Sequence, residues 1–126
     1  MKLEKQICSL EHAKNLKELG AKQESEWIWA IMNIGAGQSA YIYNTVSDKG
    51  YHRDAKYSAF TVAELGEMLK KFGQIERFYN VLGKWVIRNA LKNKRFEADT
   101  EANARAKMLI YLLENKLLNK PKVKED

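Results

Sequence analysis

Four groups of residues have the types and spacing to do chemistry. Cys8 and His12 stand four apart, so an early-starting helix would put a thiol and an imidazole on one face. Such a pair is a nucleophile–base unit only if a third group orients the base and an oxyanion site faces the thiol. Neither is identifiable, and the simpler reading makes Cys8 a small apolar residue and His12 a surface residue. His52-Arg53-Asp54 has the order of a kinase catalytic loop, but the chain has no Asp-Phe-Gly and no Gly-rich phosphate-covering turn. Gly35-Ala36-Gly37 is half of a dinucleotide fingerprint. Its third glycine is missing and the next segment reads as a strand, so a phosphate would meet no helix N-terminus. Hairpin glycines explain it more simply; a loop contacting a ligand through its amides is the other reading. Glu97, Asp99 and Glu101 could hold Mg²⁺ or act as acid and base, yet capping and dipole stabilisation of the next helix account for them fully. We therefore expect no catalytic residue, no metal set and no cofactor, and a protein that is not an enzyme.

Two groups could bind rather than react. Lys84, Arg88, Lys92, Lys94 and Arg95 fall in a segment, 84–95, without an acid, and Trp85 and Phe96 flank it. Cations with interleaved aromatics can track a phosphate backbone while bases stack, although a solvated face with Trp85 in the core needs no ligand. Trp27, Trp29, Tyr41 and Tyr43 would form an aromatic interface if one sheet face were uncovered. The alternative is packing beneath the helices. Both faces of the run 27–32 are apolar, which leaves one for a homodimer or another partner.

These residues need elements to position them. Ser9 caps a helix from Leu10 to about Leu19, with Leu10, Ala13, Leu16 and Leu19 as its stripe and Gly20 as its stop. Residues 27–32 and 41–46 read as strands of a hairpin around the loop 33–39, with a turn at 47–50 and a partly polar third strand within 51–59. Thr61-Val62-Ala63-Glu64 is a capping box, Phe60 and Leu65 its hydrophobic staple. It opens a helix whose stripe is Val62, Leu65, Leu69 and Phe72, stopped by Gly73. The run 75–91 fits a helical period through Ile75, Phe78, Tyr79, Leu82, Trp85 and Val86. Gly83 and the β-rich Trp85-Val86-Ile87 favour instead a hairpin of strands 77–81 and 84–88. The last helix starts at Asp99 or Thr100, and its stripe is Ala102, Ala106, Leu109, Leu113 and Leu117. Ile110 and Leu112 widen the apolar face, so it should be buried on more than one side. The fold class expected is α+β: an antiparallel sheet of two hairpins with three helices packed mainly on one face. Residues 1–118 would form one domain and 119–126 a polar, Pro-broken tail.

Composition narrows the setting. At 126 residues, 45% hydrophobic and 30% charged, the chain is long enough for a real core. Its single cysteine excludes an internal disulfide and any four-cysteine zinc site. The first six residues lack a signal-peptide apolar run, and the longest strongly apolar run, 108–113, is far short of the roughly 20 residues a bilayer requires. Cytoplasmic location without a membrane is the expectation. The net charge of +6 permits anionic partners without demanding them.

Three blocks carry a resemblance: Cys8-Ser9-Leu10-Glu11 with Leu16-Lys17-Glu18-Leu19-Gly20; Phe60-Thr61-Val62-Ala63-Glu64-Leu65-Gly66-Glu67-Met68-Leu69; and the run 96–115 from Phe96-Glu97-Ala98-Asp99 to Leu112-Leu113-Glu114-Asn115. Together they resemble a group of small proteins encoded by tailed phages and prophages, a group with no established activity. The resemblance implies a phage or prophage origin, a host-cell cytoplasm and an accessory role, and it carries over no functional residue. The more basic segment 70–95 departs from that pattern. The expected function is a non-enzymatic protein that docks on a host or phage protein, with inhibition of a host defence system as one form of it. The alternative is a nucleic-acid or nucleotide binder that uses 84–95.

Overall fold

The computed structural model describes residues 3–35, 37–48, 55–90 and 93–118. A helical turn α1 (Leu3–Gln6) leads to α2 (Leu10–Glu18), then to strands β1 (Trp27–Ile34), β2 (Gly37–Asn44) and β3 (Ala55–Ser58). Helix α3 (Val62–Leu69) runs into a 3₁₀ turn, Lys70–Phe72, followed by β4 (Ile75–Tyr79), β5 (Trp85–Asn89), β6 (Lys94–Ala98) and α4 (Glu101–Leu118). The class is α+β, as the sequence leads one to expect. The strands divide, however, between two antiparallel sheets, ordered β2-β1-β3 and β4-β5-β6. Helix α3 stands in the chain between them, and each sheet turns one face to the helices. The polar tail 119–126 and the His52-Arg53-Asp54 triplet lie outside the described residues.

The helix ends follow from their caps. Ser9 Oγ accepts from the His12 N–H at 3.3 Å. At the other end Gly20 takes φ 90° while the Ala21 and Gly20 N–H groups donate to Leu16 and Lys17, so two orphan carbonyls of α2 are satisfied. Both arms of the capping box on α3 are made: Thr61 Oγ1 accepts from the Glu64 N–H at 3.2 Å, and Glu64 Oε1 from the Thr61 N–H at 2.9 Å. Of the two candidate caps for α4, Thr100 is the one used, its hydroxyl accepting from the Asn103 N–H at 3.2 Å.

Helix α4 is the hub, touching α2, α3, β5 and β6. Ala102, Ala104, Ala106, Met108, Leu109 and Leu112 are all buried. Ala104 and Met108 fall on a different side of the helix from Ala102 and Ala106, which is the burial on more than one side that its wide apolar face predicts. The small side chains of its first two turns let the neighbouring elements approach closely. One core cluster joins these residues to Leu16, Leu65, Leu69 and Ile87, and Trp29 and Tyr57 of the first sheet pack against it with Trp85 and Phe96 of the second.

The loop expected at 33–39 is shorter in the fold. Strands β1 and β2 pair in register from Trp27↔Asn44 to Ile34↔Gly37, leaving a two-residue turn that starts at Gly35 with φ 55°. The hairpin reading of 75–91 holds, with β4 pairing β5 from Ile75↔Asn89 to Tyr79↔Trp85. Strand β6 is an addition: the last two residues of the basic segment, Lys94 and Arg95, open a strand whose Phe96 and Ala98 face the helices.

Candidate interaction surface

The β4–β5 turn presents apolar side chains to solvent in a fixed frame. Asn80 closes it by accepting at Oδ1 from the Leu82 and Lys84 N–H groups, each at 3.0 Å. Its own N–H donates to the Lys84 carbonyl at 2.9 Å, and its carbonyl accepts from the Gly83 N–H at 3.1 Å. Gly83 supplies the positive φ, 80°, that an L-residue would adopt only with strain. At the base Tyr79 meets Trp85 edge-on, with ring centroids 5.2 Å apart. Beyond it Val81 is fully exposed and Leu82 78% exposed, with Tyr79 at 61% and Phe78 at 41% beside them. Neither tip side chain contributes to the core, and the turn is closed by backbone and Asn80 alone. Single exposed apolar residues are ordinary, but four of the six exposed large hydrophobics among the described residues cluster in this one hairpin.

The described cations of the basic segment lie in or beside this hairpin and are already engaged. Strand pairing aligns Glu76, Arg88 and Arg95 in one row, and Phe78, Val86 and Glu97 in the next, on the face turned away from the helices. Arg88 bridges Glu76 at 2.8 Å, Arg95 stands 3.8 Å from Glu97, and Lys84 hydrogen-bonds Asp99. The Asp99 hydrogen bond raises the Lys84 ammonium above its ordinary pKa, and the same bond holds Asp99 below its own. The Arg95 guanidinium also lies 6.0 Å from the centre of the Phe78 ring, while Lys94 on the opposite face lies over Tyr111 at 5.7 Å. Lys92 is outside the described residues. The segment that lacks acids in sequence thus receives three of them from β4, β6 and the residue after β6.

The four aromatic residues do not make one surface. Trp29 pairs with Ile42 and Tyr57, and Tyr43 with Ile28, so the register sets Trp27 and Trp29 on one face and Tyr41 and Tyr43 on the other. Trp29 packs towards the core and donates from Nε1 to the Cys8 carbonyl at 2.9 Å. Tyr41 and Tyr43 sit side by side, 6.1 Å between ring centres, on half of the edge strand β2.

Among the described residues, the members of these constellations make structural contacts. Cys8 is buried, and burial pushes its thiol up to about 12, the reverse of what a nucleophile needs. His12 Nδ1 engages Ser9 Oγ at 2.8 Å and Asn103 Oδ1 at 3.1 Å, and burial lowers the imidazole pKa below its usual value. Ser9 is occupied as the cap of α2, and Asn103 Oδ1 also accepts from the Ser9 N–H at 2.7 Å, so the triple ties α2 to α4. Glu101 pairs with Arg105 at 2.7 Å and Arg77 at 3.4 Å. Gly35 opens a hairpin turn and Gly37 begins β2, so a strand and not a helix follows these glycines. Among the described residues no three His, Cys, Asp or Glu side chains converge as a metal set, and no described helix is long and apolar enough to cross a membrane.

Sequence reasoning missed a groove of about 540 Å³ between α3, α4 and the segment after α2. Phe60, Met68, Phe72, Leu109 and Leu113 line it, and the helical spacing of Phe72, Leu109 and Leu113 reads as core. Its rim mixes Lys22, Lys71 and Lys116 with Glu24 and Glu67, so it favours no ligand charge. Compared with protein-family models, curated proteins and solved structures, the chain matches none of them, and the surface chemistry alone carries the functional reading.

Proposed function

We propose that this chain is a non-enzymatic binding protein that docks on another protein through the β4–β5 hairpin. The observation that carries this is the hydrogen-bonded, solvent-exposed Val81-Leu82 tip, backed by Phe78 and Tyr79. Burying an exposed Val or Leu contributes about 1.5–3 kcal/mol per side chain, so the tip can anchor an apolar pocket while the surrounding ion pairs form a polar rim. An apolar knob favours a protein partner over nucleic acid, because Val81 and Leu82 offer no flat face for a base to stack on and phosphate tracking needs uncommitted cations. A phage setting, and with it action on a host defence protein, rests on the sequence resemblance alone.

The test is capture from nuclease-treated host lysate by the wild-type chain and by the double variant Val81→Asp, Leu82→Asp. Both positions are exposed, so the variant should keep its fold, checked by circular dichroism. A protein partner held by the wild type and lost by the variant is the expected result. Equal capture by the two would remove the tip from the interface. Partners that vanish on nuclease treatment would favour the nucleic-acid reading.

A further inference from the structure

Strand β2 forms one edge of the first sheet, and it differs from the other three edge strands. Its eight residues, Gly37–Asn44, include no charged side chain. Strand β3 carries Lys56, β4 carries Glu76 and Arg77, and β6 carries Lys94, Arg95 and Glu97. Charged residues on an edge are a usual device against strand addition, and β2 alone of the four lacks it. The strand is also divided by size. Its first half, Gly37, Gln38, Ser39 and Ala40, is small or unbranched and exposed, whereas Tyr41, Ile42 and Tyr43 in the second half are large and half-buried.

That division is self-complementary. When two identical edge strands pair antiparallel about a two-fold axis normal to the sheet, residues whose numbers sum to an even total lie opposite on one face. With the axis at Ala40, Tyr41 falls opposite Ser39, Ile42 opposite Gln38 and Tyr43 opposite Gly37 of the other copy. Every large side chain meets a small or flexible one, and an aromatic ring covers the glycine. No charge faces its own image across the axis in any register of this strand, because β2 carries none. We propose that two copies of this chain join β2 to β2 in this register, making one continuous six-stranded sheet. The pairing involves no residue of the hairpin tip, so it stands or falls independently of the proposed docking function.

The test uses the full chain and the exposed position Ala40. Analytical ultracentrifugation should find the wild type dimeric. Ala40→Lys and Ala40→Glu place like charges directly opposite each other and should each shift the equilibrium towards monomer by roughly tenfold or more. An equimolar mixture of the two should recover a heterodimer, because the pair at the axis is then Lys against Glu. Circular dichroism and thermal melts verify that both variants fold. A wild type that stays monomeric, a dimer indifferent to either substitution, or a mixture that fails to recover would each overturn the proposal.

Discussion

Cys8 shows how a residue with reactive chemistry becomes an inert part of the core. Its backbone N–H donates to the Phe60 carbonyl at 2.9 Å and its side chain is fully buried, so the thiol has no water to solvate a negative charge. Burial raises its pKa from 9.0 to about 12. The native state favours the neutral thiol, so its contribution is complete below about pH 9 and is lost as the pH climbs towards about 12. In that window the unfolded chain releases a proton that the folded chain keeps, and stability falls by up to about 1.4 kcal/mol per pH unit from this group. Urea titrations of wild type and Cys8→Ala at matched pH should show curves that converge as the pH rises above 9, after a constant offset for the smaller side chain. Parallel curves across that range would mean that the thiol is solvated after all. The burial of Cys8 was readable in its neighbours, since it stands just before a capped helix in an apolar context. The attachment of His12 to Asn103 was not, because 91 positions separate them and only the fold brings α2 beside α4.

At the scale of elements, the caps were legible because they are local: Ser9, Thr61 with Glu64, Gly20 and Gly73 each act within four residues of where they stand. Strand β6 was not, because Lys94-Arg95-Phe96-Glu97-Ala98 shows its pattern only once Phe96 and Ala98 have a helix to face. Gly66 gives an element-scale prediction with a sign that reverses. In the middle of a helix, Gly to Ala ordinarily stabilises by about 1 kcal/mol. Here a Cβ at 66 would come 2.1 Å from Arg105 Nη1. That guanidinium is held by Glu101 at 2.7 Å and by the Val62 carbonyl at 3.4 Å, so moving it breaks a hydrogen bond from α4 to α3 and disturbs the ion pair within α4. Gly66→Ala should therefore destabilise the chain by about 1–2 kcal/mol. In an Arg105→Ala background the clash is gone, and the same change should stabilise by about 1 kcal/mol. Chemical denaturation of the four proteins closes the cycle, and a gain from Gly66→Ala in both backgrounds would show that Arg105 yields freely.

For the molecule as a whole, the question is where its charge of +6 resides and what it can attract. The basic segment looks like the answer in sequence because its five cations have no acid among them. Folding changes that, since Glu76, Glu97 and Asp99 enter from β4, β6 and the approach to α4, and each meets one of Arg88, Arg95 and Lys84. No reading of residues 84–95 alone could supply those partners, since all three lie outside it, and two of them, Glu76 and Asp99, reach their cations through strand register. Exposed pairs of this kind contribute only about 0–1 kcal/mol each to stability, but they also remove cations from the pool available to phosphates. Counterion release then distinguishes the two functional readings. Four cations of the segment working together on single-stranded nucleic acid would give a slope of log K against log salt near about −3, and an interface built on an apolar tip would give a slope close to zero. Fluorescence anisotropy with a labelled oligonucleotide, measured over a salt series, should find weak binding and a slope of about −1 or shallower. A captured protein partner should be held almost equally at low and high salt. A steep nucleic-acid slope that Arg88→Ala and Arg95→Ala flatten would instead mean that phosphates displace Glu76 and Glu97 from their arginines. The outer face of the second sheet would then be a phosphate-binding surface masked by its own carboxylates.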